Sequence, residues 1–185
     1  GNPLVGTDIK IIDDNGNEAP LGISGEVVAC GRIVMPGYLG RDEATKEAIW
    51  TDKNGKNWLR TGDIGKLDKE GYLYIVDRKK DMILSGGQNI YPQDIEAVLV
   101  SHTSINEVAV IGAQSATWGE TPLAVVVPEN GSLVDVGDIR AWANTKLGKQ
   151  QRLSGVVVTK ELPRNPNGKI LKKDLREIYK DVKFD

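Results

Sequence analysis

Polar and apolar residues alternate along the start of the chain in a way that is typical of half-buried β-strands. The alternation is clear over Asp8–Ile12, and a second short strand is predicted at Gly25–Ala29. Between Trp58 and Val76 three further apolar runs predict a meander, with one turn at Thr61-Gly62 between the first two. Many short strands separated by turn residues predict a small barrel or a twisted sheet.

Helical spacing is mostly a feature of the second half of the chain, where it mixes with continuous apolar runs of strand length. Helices are predicted from Asp42, as the capping residue, to Ile49, from Pro92 onward, over Asp138–Leu147 and over Ile170–Tyr179. In the last helix, Leu171, Leu175 and Ile178 are expected to face inward. Runs at 108–111, 123–127 and 156–158 predict strands with covered faces. The fold class is therefore α+β: a β-rich, barrel-like subdomain followed by a small α+β C-terminal domain.

Residues 77–92 lie where the two patterns meet, and they begin with five charged residues in a row. Unpaired ions are costly to bury, so this stretch is predicted to be an exposed joint between two packed bodies, residues 1–77 and 78–185. Three apolar residues follow, and then Gly86 and Gly87, which tolerate positive φ and allow backbone to approach a ligand closely. A plain linker followed by a turn is the alternative interpretation.

The composition narrows the class of protein. A chain of 185 residues with 39% hydrophobic and 27% charged residues is typical of globular proteins, and it forms one large or two small domains. The net charge of −2 gives no reason to expect a nucleic-acid partner. Cys30 alone forms no intrachain disulfide, and with His102 the only histidine no metal site is predicted. The absence of a membrane-span or secretory pattern makes the cytoplasm the default location.

Several polar residues are candidates for chemistry, although each also has an ordinary structural interpretation. Asp63 follows the predicted Thr-Gly turn, where aspartate commonly bonds backbone N–H groups, but a carboxylate there can also accept two hydrogen bonds from a ribose diol. Arg78 is one charge within a charged run, which is usually a solvated face. Lys169 follows a loop with two prolines that excludes regular helix or central strand. This loop presents a cation just before a helix, although a lysine without a function is also common in such a place.

Four motifs resemble the acyl-adenylate-forming superfamily, which includes acyl-CoA synthetases, luciferases and peptide-synthetase adenylation domains. The stretch 77–92 resembles the family's hinge and the loop after it. The family's order also matches Trp-Leu-Arg-Thr-Gly-Asp at 58–63, Trp-Gly-Glu at 118–120 and Pro-Arg-Asn-Pro-Asn-Gly-Lys at 163–169. The wording Ser-Gly-Gly-Gln-Asn-Ile-Tyr-Pro at 85–92 looks like that of free-standing acyl-CoA synthetases, which favours coenzyme A over a carrier protein as acyl acceptor.

The resemblance implies roles for the nucleotide-binding and hinge residues. Asp63 corresponds to the residue that holds the ATP ribose hydroxyls, and Arg78 to one that contacts ribose or phosphate oxygens. Lys80 occupies the position of the pivot between the two domains. Trp118 supports the match, but it is interpreted as a packing residue.

The resemblance also implies how the second domain serves the two reaction steps. Gly86 and Gly87 correspond to the loop that lines the channel for the pantetheine arm of coenzyme A. Lys169 corresponds to the catalytic lysine that bridges the acyl carboxylate and the α-phosphate during adenylation.

Other parts of the family's pattern are absent from the 185 residues. There is no Ser/Thr/Gly-rich phosphate loop, no Tyr-Gly-x-Thr-Glu segment with its Mg²⁺-linked glutamate, and no region that forms an acyl pocket. The chain is thus expected to be the C-terminal part of an ATP-dependent acyl-CoA synthetase that converts a fatty or aryl acid to acyl-AMP and then to acyl-CoA. Its partner is the N-terminal region of the same protein, and alone it is expected to be inactive. The alternative is a non-catalytic module that binds nucleotide or docks to a partner.

Overall fold

The computed structural model describes residues 1–129 and 134–185. These residues form two compact units, residues 1–80 and residues 81–185. The division lies three residues after the boundary expected from the charged stretch. The assignment of the two units to particular domains of a larger enzyme stays a prediction. Within the described ranges, no helix has both the length and the apolar character needed to cross a membrane.

The first unit is one antiparallel sheet with a single short helix. The strands are β1 (Thr7–Ile12), β2 (Gly25–Gly31), β3 (Ile49–Thr51), β4 (Asn57–Leu67) and β5 (Leu73–Arg78), and the helix is α1 (Asp42–Glu47). The order across the sheet is β1-β2-β4-β3, and β5 also pairs with β4. One face is apolar because alternate residues of the strands point to it. Its buried centre consists of Ile12, Val28, Cys30 and Trp58.

The predicted turn at Thr61-Gly62 is wrong, because β4 runs through it as one continuous strand. Gly62 has a φ of +73°, and the pairing register shifts on both sides of this region, between Glu26 and Val28 in β2 and between Ile64 and Gly65 in β4. Such irregularities are β-bulges, which bend a strand without ending it. The bulge keeps Asp63 within the sheet instead of at a strand end.

The helix near Asp42 exists, but its predicted cap is also wrong. Arg41 is the capping position and has no capping side-chain bond, whereas Asp42 is the first helical residue. Thr45 holds the entry to the helix, since its hydroxyl donates to the Arg41 carbonyl at 3.0 Å and accepts from the Tyr38 N–H at 2.9 Å. The Asp42 carboxylate in the first turn still interacts favourably with the positive end of the helix dipole.

The second unit places helices against both faces of a mixed sheet. Its strands are β6 (Ile83–Ser85), β7 (Gln88–Ile90), β8 (Ile105–Ser115), β9 (Gly119–Pro128), β10 (Gly155–Val158) and β11 (Lys183–Phe184). Its helices are α2 (Pro92–Leu99), α3 (Val136–Lys146) and α4 (Lys172–Ile178). The sheet order is β11-β8-β9-β6-β7, and β10 pairs in parallel with β9. The parallel pair is possible because α3 makes the crossover connection.

The continuous apolar runs of β8 and β9 are explained by burial on both faces. Val110 and Val126 point to a cluster that includes Ile95 and Leu99 of α2, and Ile139 of α3. Ile111, Leu123 and Val125 of the same strands point to a second cluster on the opposite face, which also includes Leu175 of α4. Burying each such side chain contributes roughly 1.5–3 kcal/mol, so the two clusters fix the sheet between its helices. The predicted α+β class is confirmed.

The last helix is shorter than predicted, and only one of its three expected core residues, Leu175, is buried. It spans Lys172–Ile178, with Leu175 fully buried but Ile178 63% exposed. Ile178 is the last residue of the helix, and Leu171 is the half-buried capping residue before it. The sequence therefore predicted the buried stripe correctly only at its centre.

Candidate functional site

Asp63 and Arg78 lie directly opposite each other on β4 and β5. Nε of Arg78 is 3.0 Å from Oδ1 of Asp63, and about a third of each side chain is exposed. The N–H direction does not satisfy hydrogen-bond geometry, and among the described residues this buried Nε has no hydrogen-bond partner. The contact is therefore a Coulombic one. The pair presents a carboxylate that can accept from hydroxyl groups beside a guanidinium that suits phosphate or ribose oxygens.

The hydroxyl of Thr61 sets the position of Asp63 in the bulge. It donates to the Val27 carbonyl at 2.8 Å and accepts from the Asp63 N–H at 3.1 Å. On the other strand, Arg78 N–H donates to Oδ1 of Asp77 at 2.7 Å. Neighbours on both strands thus hold the backbone of the pair, and the register alone brings the two candidate nucleotide-binding residues together.

Lys80 is exposed at the division between the units, in the 3₁₀ turn Lys79–Asp81. Both neighbours are tied to packed elements. The Lys79 ammonium is 2.9 Å from Oε2 of Glu26, a buried carboxylate that Arg60 also contacts. Asp81 accepts from the guanidinium of Arg176 in α4 at 3.0 Å. A backbone pivot needs exposed residues beside anchored ones, and Lys80 meets that requirement. Its role as pivot stays a prediction.

Gly86 and Gly87 are the two turn residues of the β6–β7 hairpin, with φ of +56° and +79°. Positive φ at both positions is typical of the type I′ turn that matches strand twist. The Gly86 N–H donates to the Trp118 carbonyl at 2.9 Å, and a Cβ on Gly86 would lie only 2.8 Å from Cε3 of Trp118. A Cβ on Gly87 would meet no described atom within 4 Å. Glycine is therefore required at position 86 both by its positive φ and by the close approach of the Trp118 ring.

A cavity of about 460 Å³ in the second unit opens beside this turn. Gly86 and Trp118 line it together with Lys149 and Arg152, which lie between α3 and β10. The volume is within the range of small-molecule sites, and two cations suit a ligand that carries phosphate. Neither of these two residues was predicted from the sequence. The signal that could have found them is the Lys-Gln-Gln-Arg run at 149–152, just after an amphipathic helix.

Lys169 lies at the end of the loop between β10 and α4, and it is exposed. Its backbone N–H donates to Oδ1 of Asn165 at 2.9 Å. Within residues 1–129 and 134–185, no hydrogen bond or ion pair of its ammonium is found. By contrast, Lys172 at the start of α4 is mostly buried and lies 2.7 Å from Oε1 of Glu96. The helix start is thus anchored, while the Lys169 cation is available to a ligand.

The residues named from the sequence divide between the two units. Asp63 and Arg78 belong to the first unit, whereas Gly86, Gly87 and Lys169 belong to the second. Within the described ranges there is no cluster of three His, Cys, Asp or Glu residues that could hold a metal ion.

A buried carboxylate outside these groups, Asp52, accepts from Trp58 Nε1 at 3.0 Å and from the Asn54 and Lys56 N–H groups.

Comparison with known proteins identifies the matching family. Residues 94–169 match the model of the AMP-binding enzyme C-terminal domain. Feruloyl-CoA synthase of an Amycolatopsis species is 42% identical over 179 residues, which cover 97% of this chain and 35% of the relative. Long-chain-fatty-acid–CoA ligase FadD13 of Mycobacterium tuberculosis is 44% identical over 97% of this chain and 34% of the relative. The chain is similar to the C-terminal portion of these acyl-CoA ligases.

Solved structures also match over nearly the whole chain. The ATP-bound crystal structure of MatB from Rhodopseudomonas palustris has a TM-score of 0.90 at 36% identity, covering 98% of this chain and 35% of that one. The apo structure of the same protein has a TM-score of 0.65 at the same identity and the same coverage of this chain. The chain thus spans about a third of the length of the proteins that it matches.

Proposed function

We propose that the protein to which this chain belongs activates a carboxylic acid with ATP and transfers the acyl group to coenzyme A. In the first step, a carboxylate oxygen attacks the α-phosphorus of ATP and the bond to the pyrophosphate oxygen breaks, giving acyl-AMP. In the second step, the deprotonated thiol of coenzyme A attacks the acyl carbonyl carbon and AMP leaves. The Mg²⁺ that accompanies the ATP phosphates is expected to be held by residues outside this chain.

The observation that carries this proposal is the exposed ammonium of Lys169, which has no hydrogen-bond or ion-pair partner among the described residues, at the end of a hydrogen-bonded loop. In the first step two anions, the acyl carboxylate and the α-phosphate, must approach each other. A cation ~4 Å from one of them contributes about 4 kcal/mol of Coulomb attraction at an effective dielectric of ~20. Lys169 is proposed to supply this charge, and Asp63 and Arg78 to hold the ribose and phosphate oxygens of the nucleotide.

Gly86 and Gly87 are proposed to serve the second step, by leaving room for the pantetheine arm beside the cavity that Lys149 and Arg152 line. A rotation of the second unit at Lys80 would replace Lys169 by the Gly86-Gly87 turn at the nucleotide, so that one active centre serves both steps. The difference between the TM-scores of apo and ATP-bound MatB supports this, because identity and coverage of this chain are the same and the conformation of the matched region must differ. The location proposed for the enzyme is the cytoplasm.

The test is Lys169→Ala in the full-length protein. ATP–pyrophosphate exchange in the presence of a panel of aryl and fatty acids measures the first step, and thioester formation from supplied acyl-AMP measures the second. Removal of one preorganised charge typically lowers a rate by ~10²–10³. We expect a loss of this size in the first step and a change below about threefold in the second.

Lys173→Ala is the matched control, because Lys173 is an exposed lysine four residues further along. It should leave both steps at the wild-type rate. An equal loss of both steps in Lys169→Ala would contradict the role of this lysine. A wild-type protein that shows no exchange with any acid would instead favour the alternative, a non-catalytic module that binds nucleotide or docks to a partner.

A further inference from the structure

The loop that ends at Lys169 is closed by the residue four positions before it. Oδ1 of Asn165 accepts from the N–H groups of Asn167 at 3.0 Å and Lys169 at 2.9 Å. The backbone of Asn165 also donates to the Lys169 carbonyl at 2.9 Å and accepts from the Gly168 N–H at 2.9 Å. Four hydrogen bonds from one residue therefore fix the backbone that carries the lysine.

Arg164 connects the same loop to the sheet. Its Nη1 donates to the Gly168 carbonyl at 2.7 Å, and its Nη2 donates to Oε1 of Glu107 in β8 at 2.9 Å. The planar guanidinium suits this use, because its donors have a fixed geometry that a lysine does not offer. Gly168, the residue directly before Lys169, is thereby tied to β8, and the next four residues of β8 after Glu107 are buried.

These contacts contribute little to global stability. The Arg164 and Glu107 side chains are 40% and 36% exposed, and ion pairs with such exposure are screened by solvent. The effect of the contacts is instead local: they order the loop backbone up to the Cα of Lys169, while the ammonium forms no hydrogen bond or ion pair with the described residues. A catalytic charge that is held in advance needs no reorganisation during the reaction.

We propose that Asn165 and Arg164 are positioning residues for Lys169. They hold its backbone so that the ammonium reaches the acyl carboxylate and the α-phosphate, and they touch neither substrate. This inference rests on the adenylation step of the proposed function. A displacement of about 1 Å at a reacting group can cost up to ~10²-fold in rate, so loosening the loop should slow adenylation selectively.

The experiment uses the full-length enzyme with Asn165→Ala, Asn165→Ser and Arg164→Gln. Asn165→Ala removes the oxygen that accepts two N–H groups, and we expect a fall in the kcat of pyrophosphate exchange of about tenfold. A serine hydroxyl accepts the same groups more weakly, so Asn165→Ser should recover most of that loss. Arg164→Gln should lower kcat by about three- to tenfold. KM for ATP and the thioester step from supplied acyl-AMP should stay at wild-type values.

Asn106→Ala is the control, because Asn106 is an exposed asparagine of β8 next to Glu107 and outside the loop. Equal losses in both half-reactions, a loss explained by a lower melting temperature, or no loss in Asn165→Ala would overturn the positioning role. These outcomes leave the proposed function intact if Lys169→Ala still blocks exchange. An inactive wild-type enzyme would refute the proposed function itself, so the two failures are distinguishable.

Discussion

The contact between Gly86 and Trp118 allows a prediction that separates backbone conformation from steric crowding. Gly86→Ala and Gly87→Ala both place an L-residue at positive φ, which costs about 1–2 kcal/mol. Only the first also introduces a clash, because its Cβ would lie 2.8 Å from the Trp118 ring, whereas ordinary contact begins at 3.4 Å. The ring must therefore move by about 0.6 Å.

The size of the additional loss follows from how freely that ring can move. Overpacking of a rigid core costs about 1–3 kcal/mol, but Trp118 is 56% exposed and can swing outward. Its backbone remains tied through the hydrogen bond from the Gly86 N–H. We expect Gly86→Ala to destabilise the second unit by about 1 kcal/mol more than Gly87→Ala, at the lower end of the overpacking range.

The assay is native-state amide hydrogen exchange of the core amides in β8 and β9, which reports the opening free energy of the second unit in the intact chain. Trp118→Ala provides the decisive background, since it removes the clash and leaves the conformational cost. In that background the two glycine variants should lose the same free energy. Equal losses in the wild-type background, or an excess that persists without the ring, would refute the steric argument.

Two further predictions concern charged groups. Burial raises the pKa of Asp52, but hydrogen bonds from backbone and side-chain donors outweigh it and lower the pKa from 3.8 to about 2. The ionised carboxylate therefore stabilises the fold above pH ~4, and this stabilisation is lost as pH falls through about 2. In Asp52→Asn, the free energy of unfolding measured with urea should fall less steeply over this pH range. The same pH dependence in the variant and the wild type would contradict the prediction. The second prediction concerns Arg176, whose guanidinium donates to Asp81. Arg176→Gln should lower the free energy of unfolding by about 1–2 kcal/mol, because it leaves Asp81 without its charged donor. Trypsin should then cleave after Lys80 faster in Arg176→Gln than in the wild type. The control is Glu177→Gln, which removes the exposed ion pair with Lys180 and should leave the cleavage rate unchanged. Equal cleavage rates in the two variants would argue against the anchoring of Asp81 by Arg176.

The order and type of most elements followed from the sequence alone, because their causes are local. Pro92 begins a helix since its missing N–H is not needed there. The two prolines and the Asn-Gly pair before Lys169 exclude helix and central strand, and the structure has a loop at that place. The adjacent glycines at 86 and 87 tolerate positive φ, which both of them adopt.

Only the tertiary structure decided which of these local elements meet. The Thr61-Gly62 segment has the composition of a turn, but pairing with β2 on one side and β5 on the other extends it as a bulged strand, and strand partners distant in sequence are not encoded locally. The same register places Asp63 opposite Arg78. The hairpin carrying Gly86 contacts Trp118, and Arg164 contacts Glu107. The residues of each pair are too far apart in the sequence for a local pattern to predict the contact. Local chemistry determined the elements and the exposed lysine, while long-range packing determined what holds them in place.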